Sequence, residues 1–446
     1  VDLARGTVAV CAQSKEFRSE SAPTMLNDYH RIKTNHEGDL MRALRNLVAG
    51  IALSGAVVAG APTLGGAAAK IPTTKINGDT VVKVTNLGPT TFSGNGPYHA
   101  GIVSFTYAVP KTTLTPAGYS TVASCWYPTT ANGTNVIYNV QTELPPAIAF
   151  IVSKNPAAAT AATYSTGAIS KASAATGVFP LVLFSHGFSG FRYQSSTLTS
   201  HMATWGFVVC APDHPGRDLA SQLDATVGAT PPTTDPNADV QDLIALRNYL
   251  SANKVPTLKG HVDANHVIAW GHSAGGSASE RLASWGTTQQ TNWVKGWIGM
   301  AGMSNLSWSS TIAPYNAMPT EPGLVLGGQN DNVVPVAGLE TAFAALTGPK
   351  YFTEMANAGH NVYSDICVIG AGNGGILAIA AALGVEVPTN VATLAVDGCK
   401  SPNQPVTNSW PAINELTVGA ARNFLGFDHS TVAFTNLHAS FPTTVL

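Results

Sequence analysis

The residues best placed to do chemistry are Gly271-His272-Ser273-Ala274-Gly275, which follow an apolar run at 267–270 and precede a helix-like stretch at 276–285. A Gly-x-Ser-x-Gly turn between strand and helix strains the backbone at the serine, demands small neighbours, and lifts the hydroxyl to the carboxyl edge of a sheet at a helix N-terminus. In a chain with 43 Gly the pentapeptide alone says little, and the strand before it and the helix after it carry the signal. A serine hydroxyl is a poor nucleophile until a base takes its proton, and the base needs a carboxylate to orient it. The chain order serine, acid, histidine selects Asp331, in the turn Gly327-Gly328-Gln329-Asn330-Asp331-Asn332 after an apolar run at 323–326. It selects His360 in Asn357-Ala358-Gly359-His360, after the run at 350–355. Each sits just past a successive strand, where side chains from separate loops can meet.

An attacked carbonyl becomes an oxyanion and needs preorganised donors. One expected donor is the Ala274 N–H, directly after the serine. The other is the Phe188 N–H in Ser185-His186-Gly187-Phe188-Ser189-Gly190, a loop that follows the run at 179–184. That loop has neither the Lys nor the helix-entry spacing of a phosphate loop. Two rival clusters are weaker. Asp213-His214 ends a strand-like run but precedes the serine, so it is read as a structural cap on its loop. His261, Asp263 and His266 lie at the opposite end of the serine's strand and fit no tight ligand motif. No metal and no cofactor are therefore expected.

The elements that must position these residues alternate. Residues 99–109 and 120–127 alternate apolar and polar in the manner of two strands, and 129–178, rich in Ala, Thr, Ser and Asn, read as an insertion. The runs at 179–184, 206–211, 267–270 and 323–326 are continuously apolar, as strands buried on both faces of a parallel sheet are. Between them, 240–250 places Leu243, Leu246 and Leu250 on one helical face. Alternating strand and helix argues an α/β architecture with a mostly parallel sheet. Residues 366–385 are apolar enough to suggest a membrane span, but Gly370, Gly372, Asn373, Gly374 and Gly375 interrupt them, so a buried loop and helix are expected.

Composition sets the outer limits. The chain of 446 residues is 45% hydrophobic and 11% charged, with 23 Lys+Arg against 25 Asp+Glu. A net charge of −2 leaves no basic stripe for nucleic acid or an anionic membrane. Arg42 and Arg45, an apolar run at 47–61, and the small pair Ala67 and Ala69 form the three parts of a secretory signal peptide at 41–69. Residues 1–40 lack apolar periodicity and are read as a leader foreign to the native protein. Of five Cys, Cys11 falls in that leader. In an exported chain the remaining even number favours disulfides. Cys367 and Cys399 are the expected pair, closing a loop worth roughly 3 to 4 kcal/mol. Cys125 and Cys210 sit in strand-like runs and are open to either reading, buried free thiols or a bridge.

At Phe184-Ser185-His186-Gly187-Phe188, Ala211-Pro212-Asp213-His214, the Ser273 turn and the Asp331 turn, the chain resembles the serine α/β-hydrolases over about residues 99–427. The nearest branch is exported and bacterial, with dienelactone-hydrolase-like, platelet-activating-factor-acetylhydrolase-like and cutinase or polyester-hydrolase-like enzymes. The resemblance implies an α/β-hydrolase fold, a mostly parallel eight-stranded sheet with helices on both faces, plus insertions. It implies Ser273, Asp331 and His360 as catalytic triad. It also implies an aromatic in the first loop, where Phe188 stands, and a tryptophan after the strand that follows the serine's helix, where Trp308 stands, with Met303 nearby. His272, Met303 and Trp308 are thus expected to line the cleft. The implied strand order sets the Cys125 and Cys210 strands side by side. Residues 129–178 and 362–410 exceed the compact polyester hydrolases, and 428–446 read as a tail. The resulting expectation is a secreted, monomeric carboxylic ester hydrolase that acts on small-molecule or polymeric esters, prefers short acyl groups, and binds neither nucleic acid nor membrane stably. A lipase or amide hydrolase on the same triad, or a silent binding protein on the same fold, are the alternatives.

Overall fold

The computed structural model describes residues 71–112, 115–156, 160–228, 238–303, 317–429, 431–434 and 437–445. The expected leader, the signal segment and Trp308 lie outside the described residues. Chain contacts separate Val1–Ala69 from Lys70–Leu446, and all that follows concerns the second unit.

β1 (Thr73–Ile76) and β2 (Asp79–Val82) pair as a separate antiparallel hairpin. The main sheet contains β3 (His99–Val109), β4 (Tyr119–Thr129), β5 (Asn135–Asn139), β6 (Thr163–Ser170), β7 (Phe179–Ser185), β8 (Val208–Pro212), β9 (Val262–His272), β10 (Val294–Met300), β11 (Gly323–Gly328), β12 (Lys350–Met355) and β13 (Thr444–Val445). Their order is β13-β12-β11-β10-β9-β7-β8-β4-β3-β6-β5. From β8 to β12 neighbouring ladders are parallel, and β4 joins β8 antiparallel. The eight strands β3, β4 and β7 to β12 form the expected sheet. It is wider than eight among the described residues because the insertion supplies β5 and β6 on one edge, and the expected tail supplies β13 on the other.

Local sequence explains most of these elements. Every residue of β7 is buried, as its unbroken apolar run requires in a strand covered on both faces. β10 was not legible as a strand: Val294-Lys295-Gly296-Trp297 mixes a charge with glycine. Its Gly296 is held because a Cβ there would meet the Phe424 ring at 2.4 Å, a constraint set entirely by tertiary packing.

Among the described residues the α-helices are α1 (Pro146–Val152), α2 (Ser196–Thr204), α3 (Leu219–Asp224), α4 (Ala238–Ser251), α5 (Ala274–Thr288), α6 (Val336–Ala345), α7 (Ile376–Ala382), α8 (Thr389–Val396), α9 (Trp410–Phe424) and α10 (Leu437–Ser440). α2 packs with α9, and α4 packs with α5, each against the sheet. On α4 the buried face includes Leu243, Leu246 and Leu250, the stripe read from the sequence.

Both disulfides form. Cys125 and Cys210 are directly opposed in the β4–β8 ladder with Cα atoms 4.1 Å apart, which resolves the open reading of this pair in favour of a bridge. Cys367 joins Cys399 across 32 residues. The segment they close holds α7 and α8. The expected buried loop and helix at 366–385 is only half-buried: on α7, Ile379 alone is fully buried. No helix among the described residues is long and apolar enough to cross a membrane.

Asp365 fastens the start of this segment to the N-terminus of α2, where its Oδ2 accepts the Thr197 N–H at 3.1 Å. Burial pushes its carboxyl up to about 7, against roughly 4 in an unfolded chain. Between those values the folded protein holds a proton that the unfolded chain has lost, so this group's contribution to stability falls as pH rises from about 4 through 7. Asp365→Asn keeps an acceptor oxygen and removes the titration. The difference in Tm, variant minus wild type, is expected to rise by roughly 2 °C or more between pH 4.5 and pH 8.5, read by differential scanning calorimetry. A difference independent of pH would place the titrating carboxyl elsewhere.

Candidate active site

β9 ends at His272 and α5 begins at Ala274, leaving Ser273 alone in the turn with φ 58° and ψ −123°. This left-handed conformation is costly for a residue with a Cβ and persists because its surroundings over-determine it. A Cβ on Gly271 would meet Gly275 O at 2.2 Å, and one on Gly275 would meet Ser185 O at 1.9 Å, so the flanking glycines are steric necessities. The Ser273 N–H donates to Met300 O at 2.7 Å, pinning the turn to β10.

The acid and the histidine come from the next loops. Asp331 Oδ1 accepts the N–H groups of Val333 and Val334 at 2.8 and 2.7 Å, and its Oδ2 accepts the His360 Nδ1–H at 2.8 Å. Both side chains are nearly inaccessible. The His360 N–H in turn donates to Asp397 Oδ1 at 2.7 Å, and Asn361 donates to Leu394 O and Asp397 O. The segment closed by Cys367–Cys399 thus returns to hold the histidine's loop. Ser273, His360 and His272 line one cleft of about 70 Å³ together with Gly187 and Phe188, and Phe188 is 40% exposed. Gly187 approaches the serine so closely that a Cβ there would lie 3.2 Å from Ser273 Cβ.

The first loop is held from behind. The Gly187 N–H donates to Gln194 Oε1 at 3.0 Å, and the Ser189 N–H to Arg217 O at 2.8 Å. Among the described residues neither the Phe188 nor the Ala274 N–H is committed to a protein acceptor. Gln194 Nε2 donates to His272 Nδ1 at 2.6 Å, and His272 Nε2 then donates to His360 O at 3.0 Å. Burial, then the neighbouring His360, keeps the His272 imidazole well below its usual pKa, which matches the neutral tautomer this chain of bonds requires. Gln194 therefore links the first loop, the serine turn and the histidine loop.

The sequence-predicted residues divide accordingly. Ser273, His272, His360 and Phe188 meet at the cleft, Asp331 stands behind His360, and Ala274 opens α5. Met303, expected to line the cleft, is instead fully buried in the hydrophobic core, where an apolar thioether side chain packs out of water. Trp308 lies outside the described residues. Gln194, Arg217 and Asp397 were missed. Their role depends on loops far apart in sequence, and no spacing rule marks them.

The rival cluster at Asp213-His214 has a definite role. His214 Nδ1 donates to Asp242 Oδ2 at 2.7 Å, and His214 Nε2 accepts from Ser185 Oγ at 2.9 Å. Ser185, His214 and Asp242 copy the composition of a triad but are wholly buried, with no access for a substrate. Arg217 Nη2 donates to both Ser185 Oγ and His186 O at 2.8 Å. The array fixes the root of the first loop. Asp213 pairs with Arg192, which also pairs with Glu143 of the insertion. At the far end of the sheet, Asp79, Asp263 and His266 each bring one ligand atom to within 4.8 Å of the others. His266 Nδ1 is bonded to Asp79 at 2.7 Å, and burial pushes the Asp79 carboxyl up to about 6.

Residues 154–304 match the family model described as Chlorophyllase. Cutinase est1 of Thermobifida alba is 26% identical over 183 residues, 40% of this chain and 52% of that protein. Cutinase 1 of Thermobifida cellulosilytica is 27% identical over 157 residues, 35% of this chain and 49% of that protein. These matches span about half the length of the curated relatives. Among solved structures, a ferulic acid esterase from Streptomyces cinnamoneus superposes with a TM-score of 0.57 at 19% identity, covering 79% of this chain and 98% of that chain. At that identity the likeness establishes the fold, an α/β-hydrolase fold, and the sequence comparisons show a chain similar in part to the Chlorophyllase family model and in part to cutinases.

Proposed function

We propose, from a chain with the fold and sequence likeness of a cutinase-like α/β hydrolase, that the protein is a carboxylic ester hydrolase working through an acyl-enzyme. The observation that carries this reading is the union of a strained serine, at φ 58°, with an Asp331–His360 pair bonded at 2.8 Å behind the same cleft. Ser273 Oγ attacks the ester carbonyl while His360 Nε2 takes its proton. Asp331 holds Nδ1–H and stabilises the imidazolium that forms. The Phe188 and Ala274 N–H groups receive the oxyanion, aided by the positive end of α5. His360 then protonates the departing alkoxide. A water repeats the sequence on the acyl-enzyme and releases the acid.

Residues 361–395 contribute Ile366, Ile376, Val391, Leu394 and Ala395 to the cleft wall. This cover favours single ester molecules over the flat face of a polymer, so small-molecule esters, those of short acyl groups preferred, are the expected substrates, with polyester hydrolysis a secondary activity. Two disulfides among the described residues suit an oxidising compartment and support export through the segment at 41–69.

Labelling with a fluorophosphonate followed by peptide mapping tests the reading. A single adduct on Ser273, together with hydrolysis of p-nitrophenyl acetate, is the expected result. Absence of both would favour a silent protein on a hydrolase fold.

A further inference from the structure

We infer that the protein has a second binding site, a channel for the hydrocarbon chain of its ester substrate, formed where the insertion meets the disulfide-closed segment. The inference rests on the ester-hydrolase reading and extends it to the substrate's class.

A cavity of about 90 Å³ lies between these two parts of the chain. Val140, Leu144 and Val152 of the insertion form one side, and Ile379, Ala380 and Leu383 at α7 form another. Among the described residues on its lining, Gln141 is the one side chain with a hydrogen-bonding group. Such a space offers almost nothing to a headgroup, a sugar or an ion, and its apolar walls favour an apolar ligand that removes them from water. Its position identifies the ligand. Leu219, Ile376, Val391 and Ala395 line this cavity and also line the cleft that contains Ser273 and His360. An ester whose carbonyl sits at Ser273 can therefore lay its chain along these four shared apolar side chains into the neighbouring space. The insertion is tied to the sheet beside this space: Arg192 pairs with Glu143, between Val140 and α1, and with Asp213 just after β8.

Each methylene taken from water into such a site contributes about 0.8 kcal/mol, about fourfold in affinity or in kcat/KM. Two ester series separate the side on which the chain is carried: p-nitrophenyl acyl esters from acetate to laurate, and alkyl acetates from ethyl to dodecyl. At least one series is expected to rise by about tenfold or more in kcat/KM between its shortest member and eight carbons. Ala380→Phe fills the cavity from α7 and is expected to lower the long-to-short ratio by about tenfold or more. Leu383→Ala enlarges the cavity and is expected to move the optimum to longer chains. Circular dichroism and Tm confirm that each variant folds, and if Ala380→Phe does not, Val387→Trp replaces it. Flat series, or a chain-length ratio unchanged in both folded variants while p-nitrophenyl acetate is still cleaved, would overturn the channel and leave the ester-hydrolase reading standing. Loss of all ester cleavage in the wild type, with no fluorophosphonate adduct, would overturn both.

Discussion

Ser273→Ala is expected to reduce ester turnover by about 10⁶-fold while moving Tm by no more than about 1 °C. The two halves of this result have separate causes. Turnover collapses because the nucleophile is the one part of the machinery with no substitute: His360 and the backbone donors can still bind and polarise an ester, but only water is left to attack it. Stability is retained because the strain at this position belongs to the backbone, and serine and alanine meet the left-handed conformation with the same Cβ. The turn itself is held by the Ser273 N–H to Met300 O and by the close approach of Gly271 and Gly275 to neighbouring carbonyls, none of which involves the hydroxyl. Initial rates on p-nitrophenyl acetate and a thermal melt check both halves. Residual turnover near wild type would place the nucleophile elsewhere, and the buried Ser185 would then need a route to solvent that its surroundings do not offer.

Asp331→Asn is expected to lower kcat by about 10⁴-fold without unfolding the protein. The carbonyl oxygen of the substituted side chain can still accept the Val333 and Val334 N–H groups, so the loop keeps its shape. The new amide nitrogen is then left facing His360 Nδ1, and an amide N–H donates where a carboxylate accepted. The imidazole is driven to the tautomer protonated at Nε2, which cannot take a proton from serine. A kcat–pH profile and near-UV circular dichroism check the prediction. A loss of only a few fold would shift the role to Asp397, whose Oδ1 already holds the His360 N–H. The nearness of these two carboxylates makes the experiment decisive, since both touch the histidine but only Asp331 touches its ring.

The parts of the site nearest the chemistry were legible because each follows a strand whose apolar run is visible locally. Ser273, Asp331 and His360 all fall within a few residues of the ends of β9, β11 and β12, and turn chemistry at those ends is written in short motifs. The helix α4 was legible for the same reason, since a stripe of leucines at helical spacing needs no partner to be seen. Met303 was misread because a residue three positions past β10 can turn toward the cleft or toward the core, and only packing chooses. The sheet was underestimated because β5 and β13 are its outermost strands and β6 lies next to β5: these strands are largely half-buried or exposed, and their sequences lack the apolar signature of a central strand.

The sequence by itself therefore determined the alternation of strand and helix that makes a mostly parallel sheet, and it singled out the serine turn and the acidic and histidine turns that follow, since these depend on local conformation and on the direction in which the chain runs. Tertiary structure alone decided the rest. It set Cys125 opposite Cys210, buried the Ser185-His214-Asp242 array away from solvent, ran a hydrogen-bond path from Gly187 through Gln194 and His272 to His360, and brought the cleft at Ser273 and an apolar cavity to share the side chains of Leu219, Ile376, Val391 and Ala395. The disulfide, the buried array and the Gln194–His272–His360 steps need groups 28 to 88 residues apart in sequence to arrive within 3.0 Å, and proximity of that kind is a property of the packed molecule, with no local signal in the chain.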